Sequence, residues 1–213
     1  MMIAANIISM TILFAVPLLL VAMGGMFSEH SGVINIALEG MMIIGALFAC
    51  FTLQGLDQSG FGPAHPQLSM FIAILVAGIT GMIFSLFLAF AAINLRADQT
   101  IGGTALNMLA PALVLFLVRL IAKQNQLLLL KGDSASWFMI KKTMLGFDRT
   151  AELNFFQETF LNKVYLSNYV CVLVFIILAI ILYKTRFGLR LRACGENPQA
   201  ADSLGINVKK MRY

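Results

Sequence analysis

Apolar residues come in long blocks, with polar residues confined to the breaks between them. Five blocks are long enough to cross a hydrocarbon core as helices: residues 3–27, 33–54, 68–95, 101–122 and 167–184. The pattern predicts an all-α integral membrane protein, a polytopic helix bundle with about five transmembrane helices. The first block has no positive n-region before it and outruns a signal-peptide core, so it is expected to be kept as a span.

Two of the blocks depart from plain hydrophobicity. The second opens on Ser28-Glu-His-Ser-Gly-Val and carries Asn35, Glu39, Gly40 and Gly45, so it reads either as one span or as a broken or re-entrant helix. Within a continuous helix, Asn35 and Glu39 would share one face, directed into the bundle or a watery path. A carboxylate inside an apolar segment costs about 2.5–3.5 kcal/mol on insertion scales. Pathway lining and a structural hydrogen bond at a helix break are equally good accounts of this pair.

The fourth block carries Gln99, Gly103 and Asn107 at successive intervals of four, beside Thr100 and Thr104. Asp98 suits a cap, and Pro111 a kink. Amides and hydroxyls suit a neutral, hydroxyl-rich solute better than an ion, although glue between helices explains any one of them as well. In the third block Ala73, Ala77, Gly81, Ser85 and Ala89 recur every fourth residue, a face on which a neighbouring helix can approach closely.

Charge assigns the sides. From Lys184 to Arg212 seven Lys or Arg stand against Glu196 and Asp202, which marks residues 184–213 as cytosolic. With five simple spans, parity places the N-terminus and residues 123–166 outside and the Arg96 connection inside. Residues 123–166 hold six basic residues against Asp133, Asp148, Glu152 and Glu158, and are expected to form an external loop or small cap, with an interfacial helix near Trp137 and Phe138. The net charge of +5 belongs to the tail and to anionic headgroups rather than to nucleic acid. In the tail, Asn197 suits an N-cap, Pro198 the first helical position and Gly205 the residue past the end, which predicts a two-turn helix over 198–204. Ala200, Ala201 and Leu204 would give it a low apolar face in need of a partner.

Composition agrees, with 60% hydrophobic residues, 12% charged and a mean hydropathy of +0.88. Cys50, Cys171 and Cys194 lie far apart and read as packing residues; His30 and His65 read as solvated loop histidines without metal spacing. There is no phosphate-binding G-x-x-x-x-G-K-[ST] loop, nucleophile elbow or H-E-x-x-H helix, and Glu39 has no second catalytic group beside it. A transporter without catalysis of its own is the expected class; a secondary transporter or channel fragment is the alternative to an ATP-driven one.

The run Phe27-Ser-Glu-His-Ser-Gly-Val-Ile-Asn-Ile-Ala-Leu-Glu-Gly-Met41, with Arg192-Ala-Cys-Gly-Glu-Asn-Pro-Gln-Ala-Ala-Asp-Ser-Leu-Gly-Ile206, resembles permease subunits of bacterial ABC importers of the branched-chain amino acid and ribose permease superfamily. Within it, the nucleoside and simple-sugar group that works with basic-membrane-lipoprotein binding proteins is most similar. The resemblance implies a multi-pass protein of the bacterial cell membrane, with residues 1–213 as the N-terminal part of one permease domain. It also implies that Gly195, Glu196, Asn197, Pro198, Ala200, Ala201, Leu204 and Gly205 form a coupling helix seated in a cytosolic ABC ATPase. ATP would be used by that partner, and this chain would carry no cofactor. An external lipoprotein would deliver the solute to a pathway shared with a second, related permease subunit. Asn35, Glu39, Gln99 and Asn107 become candidates for a weak transit site. Family members continue into further spans after the coupling helix, so the resemblance also implies a truncated product or fragment.

Overall fold

The computed structural model describes residues 2–122, 139–140 and 164–213. Helix α1 spans Met2–His30, α2 Leu38–Gln58, the short α3 Phe61–Ala64, α4 Pro66–Ile93 and α5 Gln99–Ala122. A two-residue antiparallel pair, β1 (Met139–Ile140) with β2 (Val164–Tyr165), leads into α6 (Leu166–Lys184). The tail folds as α7 (Arg186–Glu196), α8 (Pro198–Ser203) and α9 (Val208–Arg212). Among the described residues, α1, α2, α4, α5 and α6 are long and apolar enough to cross a membrane. The remainder of the expected external loop, including Trp137 and Phe138, lies outside the described residues.

Start and stop signals are local and explain most boundaries. Proline occupies the first turn of α4 and of α8, where its missing N–H costs nothing. Asp98 accepts from the N–H groups of Thr100 (2.8 Å) and Ile101 (3.3 Å) and so starts α5, which continues through Pro111. Lys184 ends α6, and Thr185, extended at φ −103° and ψ 160°, turns the chain into α7.

The second span differs from the one expected over 33–54. Residues 31–37 are not helical and α2 begins at Leu38. Gly32, at φ +83°, takes the chain out of α1 through a left-handed turn that L side chains resist. This answers the open choice between one span and a broken one in favour of a break. It also corrects the shared helical face expected of Asn35 and Glu39, since only Glu39 is in the helix.

Packing centres on α2, which lies against α4 and α5, while α1 packs on α6 and α7. The small-residue face of α4 receives α2: a Cβ on Gly45 would meet the Ala77 carbonyl oxygen at 3.1 Å, and one on Gly81 the Met41 carbonyl oxygen at 3.7 Å. Ile44, Phe84 and Ala110 form the buried cluster, with Met41, Leu106, Leu113 and Val114 around it. Only 11–22% of each span's most apolar stretch is buried within the chain, so most of each span is left for lipid or other helices.

Candidate functional site

The break at residues 31–37 needs partners for its backbone, because a helix that starts inside a bundle leaves its first N–H groups unpaired. Ala37 precedes α2 and has no side chain that could cap it. The partners come from α5. Asn107 Oδ1 accepts from the Gly40 N–H at 2.7 Å, and Asn107 Nδ2 donates to the Ile36 carbonyl at 2.7 Å. Gln99 Oε1 accepts from the Ile34 N–H at 2.6 Å. Two nearer groups complete the brace: Asn35 Oδ1 accepts from the Ala37 N–H at 3.0 Å, and the Ser28 hydroxyl donates to the Val33 carbonyl at 2.7 Å.

Close backbone approach makes these bonds reachable. A Cβ on Gly40 would stand 3.0 Å from Asn107 Oδ1 and 3.1 Å from the Leu106 carbonyl; one on Gly103 would stand 3.0 Å from Ile36 Cβ. The every-fourth-residue stripe on α5 therefore faces the break, with Gln99 and Asn107 bonding to it and Gly103 letting it in. Thr104 donates to its own helix, at the Thr100 and Ile101 carbonyls, and takes no part.

Of the four residues singled out as pathway candidates, three are thus engaged with backbone. Glu39 is different: it sits exposed in the first turn of α2, with no hydrogen bond or ion pair among the described residues. The helix N-terminus eases its charge, since the first-turn dipole favours an anion by about 0.3–1 kcal/mol. Glu39 stands at the start of a helix that begins inside the bundle, at the level where Gly40 meets Asn107 of α5 and Met41 meets Gly81 of α4.

The tail gathers at the end of the bundle where α1 stops and α4 ends. Asn197 Oδ1 caps α8 at the Ala200 N–H (3.0 Å), and Gly205, at φ +78°, ends it. The helix closes at Ser203, so Leu204 is its C-terminal cap and not its last residue. The three residues expected on one free face also divide. Ala201 is buried at 2% exposure inside this chain, whereas Ala200 is exposed and Leu204 projects at 81%. Gly195 packs against the His30 carbonyl oxygen, and Glu196 and Pro198 follow at the surface and its edge.

Sequence reasoning missed Arg212, which donates to the Ser31 carbonyl (3.0 Å) and the Cys194 carbonyl (3.3 Å). Its only signal was being basic next to a helix end. It also missed that His30 is half-buried at the end of α1, edge-on to Tyr183 with centroids 6.3 Å apart, and is not a solvated loop histidine. Among the described residues no three His, Cys, Asp or Glu side chains are grouped to hold a metal.

Comparison with known proteins gives this arrangement a family. The model of the branched-chain amino acid transport system / permease component family matches residues 7–213. The chain is 44% identical to the guanosine ABC transporter permease protein NupQ of Bacillus subtilis, over 97% of this chain and 61% of the relative. It is 36% identical to the nucleoside ABC transporter permease protein NupC of Lactococcus lactis, again over 97% and 61%. To the putative glucose ABC transporter permease protein TsgC13 of Haloferax volcanii it is 28% identical, over 99% of this chain and 57% of the relative. The chain thus spans about three-fifths of these relatives' length. No solved structure matches.

Proposed function

We propose that this chain, which belongs to the branched-chain amino acid transport system / permease component family, is the pathway-forming part of a permease subunit in an ATP-driven importer, with a nucleoside as its solute. The observation that carries the pathway is the interrupted backbone between α1 and α2. Non-helical chain at such a place is tolerated where it is buried in protein or borders a watery cavity; Gln99 and Asn107 hold it on one side, and the exposed Ile34 and Ile36 leave another side open. Glu39, beside the break and uncommitted, is the group proposed to meet the solute or its water. The solute class rests on the higher identity to relatives named for guanosine and nucleosides than to the one named for glucose.

In this reading the tail end of the bundle is cytosolic and the protein lies in the bacterial cell membrane. A cytosolic ABC ATPase receives α8, a related second permease completes the path, and an external lipoprotein delivers the solute. ATP is spent by the ATPase, and the permease chain supplies no catalytic group and holds no cofactor. Its contribution is differential stability of two arrangements, which ATP binding at the partner biases. Ala200 and Leu204, both exposed at α8, are the proposed contact, with Asn197 and Gly205 fixing the ends of the helix and Gly195 and Ala201 seating it on its own chain.

Uptake of labelled guanosine by cells carrying the full-length subunit and its partners tests the reading. Uptake is expected to stop when cellular ATP is depleted and to survive an ionophore that collapses the ion gradients; unlabelled nucleosides should compete and glucose should not. The reverse dependence on energy would make the protein a secondary transporter. A second expectation concerns α8: Ala200→Glu places a charged side chain on its exposed face without touching the core. The subunit should reach the membrane at normal level while uptake falls by about tenfold or more, the scale of one lost contact of about 1.4 kcal/mol. Unchanged uptake would remove α8 from the ATPase interface.

A further inference from the structure

Two helix C-termini converge on one guanidinium. Helix α1 ends at His30 and α7 at Glu196, and each leaves carbonyls without intrahelical partners and a partial negative charge at its end. Arg212, from α9, places Nε on the Ser31 carbonyl just past α1 (3.0 Å) and Nη2 on the Cys194 carbonyl near the end of α7 (3.3 Å). The fit admits little else. A Cβ on Gly32 would lie 2.8 Å from Arg212 Nη2 and 3.3 Å from Gly195 Cα, and Gly32 also needs its positive φ. A Cβ on Gly195 would run into the His30 carbonyl oxygen, so α7 and the end of α1 approach backbone to backbone.

The same end of the bundle holds an open cleft of about 290 Å³, lined by Ser28, Ser31 and Asn35 from around the break, Ser85 from α4, Phe187 from α7, and Arg212. Space therefore lies directly beside the break, on the side where Arg212 enters. The break is held to α5 by Gln99 and Asn107, and to the tail by Arg212 and the glycine contact. A displacement of α8 reaches it through α7 and α9 without passing through any span.

We infer that Arg212 is a positioning residue, a strut that ties the movement of the tail to the α1–α2 break and so sets the break's arrangement according to the state of the ATPase. The inference rests on the importer reading above. Arginine suits the task because its rigid fork reaches two carbonyls at once, whereas lysine is a point charge on a flexible stem. Charge-assisted bonds of this kind are the strong ones.

The test uses the assembled importer, with Ile34→Cys as a reporter, since the Ile34 side chain is exposed within the break. In the otherwise unaltered complex, ATP is expected to change the rate at which an aqueous maleimide labels position 34. With Arg212→Gln, the ATPase should still co-purify and hydrolyse ATP, the labelling rate should no longer respond to ATP, and solute moved per ATP should fall about tenfold or more. Arg212→Lys should fall with it, and Lys209→Gln, on the same helix, should not. A persistent labelling response in Arg212→Gln overturns the strut. So does full recovery with lysine, which would make charge at the two helix ends sufficient, and so does loss of the ATPase from the Arg212→Gln complex, which would make Arg212 part of the docking surface. If the unsubstituted subunit carries no ATPase at all, it is the importer reading that fails.

Discussion

Gly188→Ala is expected to unseat the whole tail. A Cβ on Gly188 would run into the carbonyl oxygens of Leu182 and Ile181, at the end of α6, where α7 folds back across the turn at Thr185. Overpacking a core typically costs about 1–3 kcal/mol, mostly through side chains that shift. Here the obstructing atoms are backbone, on a helix whose Leu182 is fully buried, so they cannot swing aside and the cost lies at or above the top of that range. The C-terminal part of α7 is also fixed, by Gly195 against α1, so tilting the helix does not relieve the clash. The expected result is a subunit in which trypsin cuts readily at Arg186, Arg190 and Arg192 and which no longer supports uptake. Gly55→Ala, near the end of α2, is the contrast: nothing lies within 4 Å of its added Cβ, and alanine is the better helix former by about 1 kcal/mol. Equal protease resistance in the two variants would contradict the packing argument.

Local signals were legible in the sequence to the extent that the physics is local. Long apolar blocks fixed the spans to within a few residues, and Asp98, Pro198, Asn197 and Gly205 marked helix ends because caps act over three or four residues. The small-residue face of α4 was visible as a period, and α2 does lie on it. The use of the polar residues was not legible. Asn107 and Gln99 bond to groups 67, 71 and 65 residues away, and Arg212 to one 181 residues away. No period or spacing encodes which backbone group a side chain will meet across a bundle. The Asn35–Glu39 pairing failed for a related reason: it assumed a continuous helix, whereas Gly32 turns the chain and α5 supplies the bonds that make a break affordable.

The second large effect follows from that brace. Asn107→Ala removes the partners of both the Gly40 N–H, which is buried, and the Ile36 carbonyl, which lies at an exposed position that water can reach. An unsatisfied buried group costs about 1–3 kcal/mol. Hydrogen bonds between helices in membranes average only about 0.6 kcal/mol, because side chains left behind usually find another partner. The higher figure applies here, since the groups left behind are backbone atoms at a helix start, where Ala37 offers no cap and the helix supplies none. The expected loss is about 1–3 kcal/mol, set by the buried Gly40 N–H, to be read as a lower temperature of heat inactivation in detergent. Thr104→Ala, one turn earlier on α5, removes only bonds to carbonyls of its own helix and should leave that temperature within about 0.5 kcal/mol of the parent's equivalent. Gly40 adjoins Glu39 in the first turn of α2, so loosening the helix start also frees the position of that carboxylate. Uptake per surviving Asn107→Ala subunit should therefore fall as well. Identical heat inactivation in the Asn107 and Thr104 variants would mean that the break is held by something other than α5.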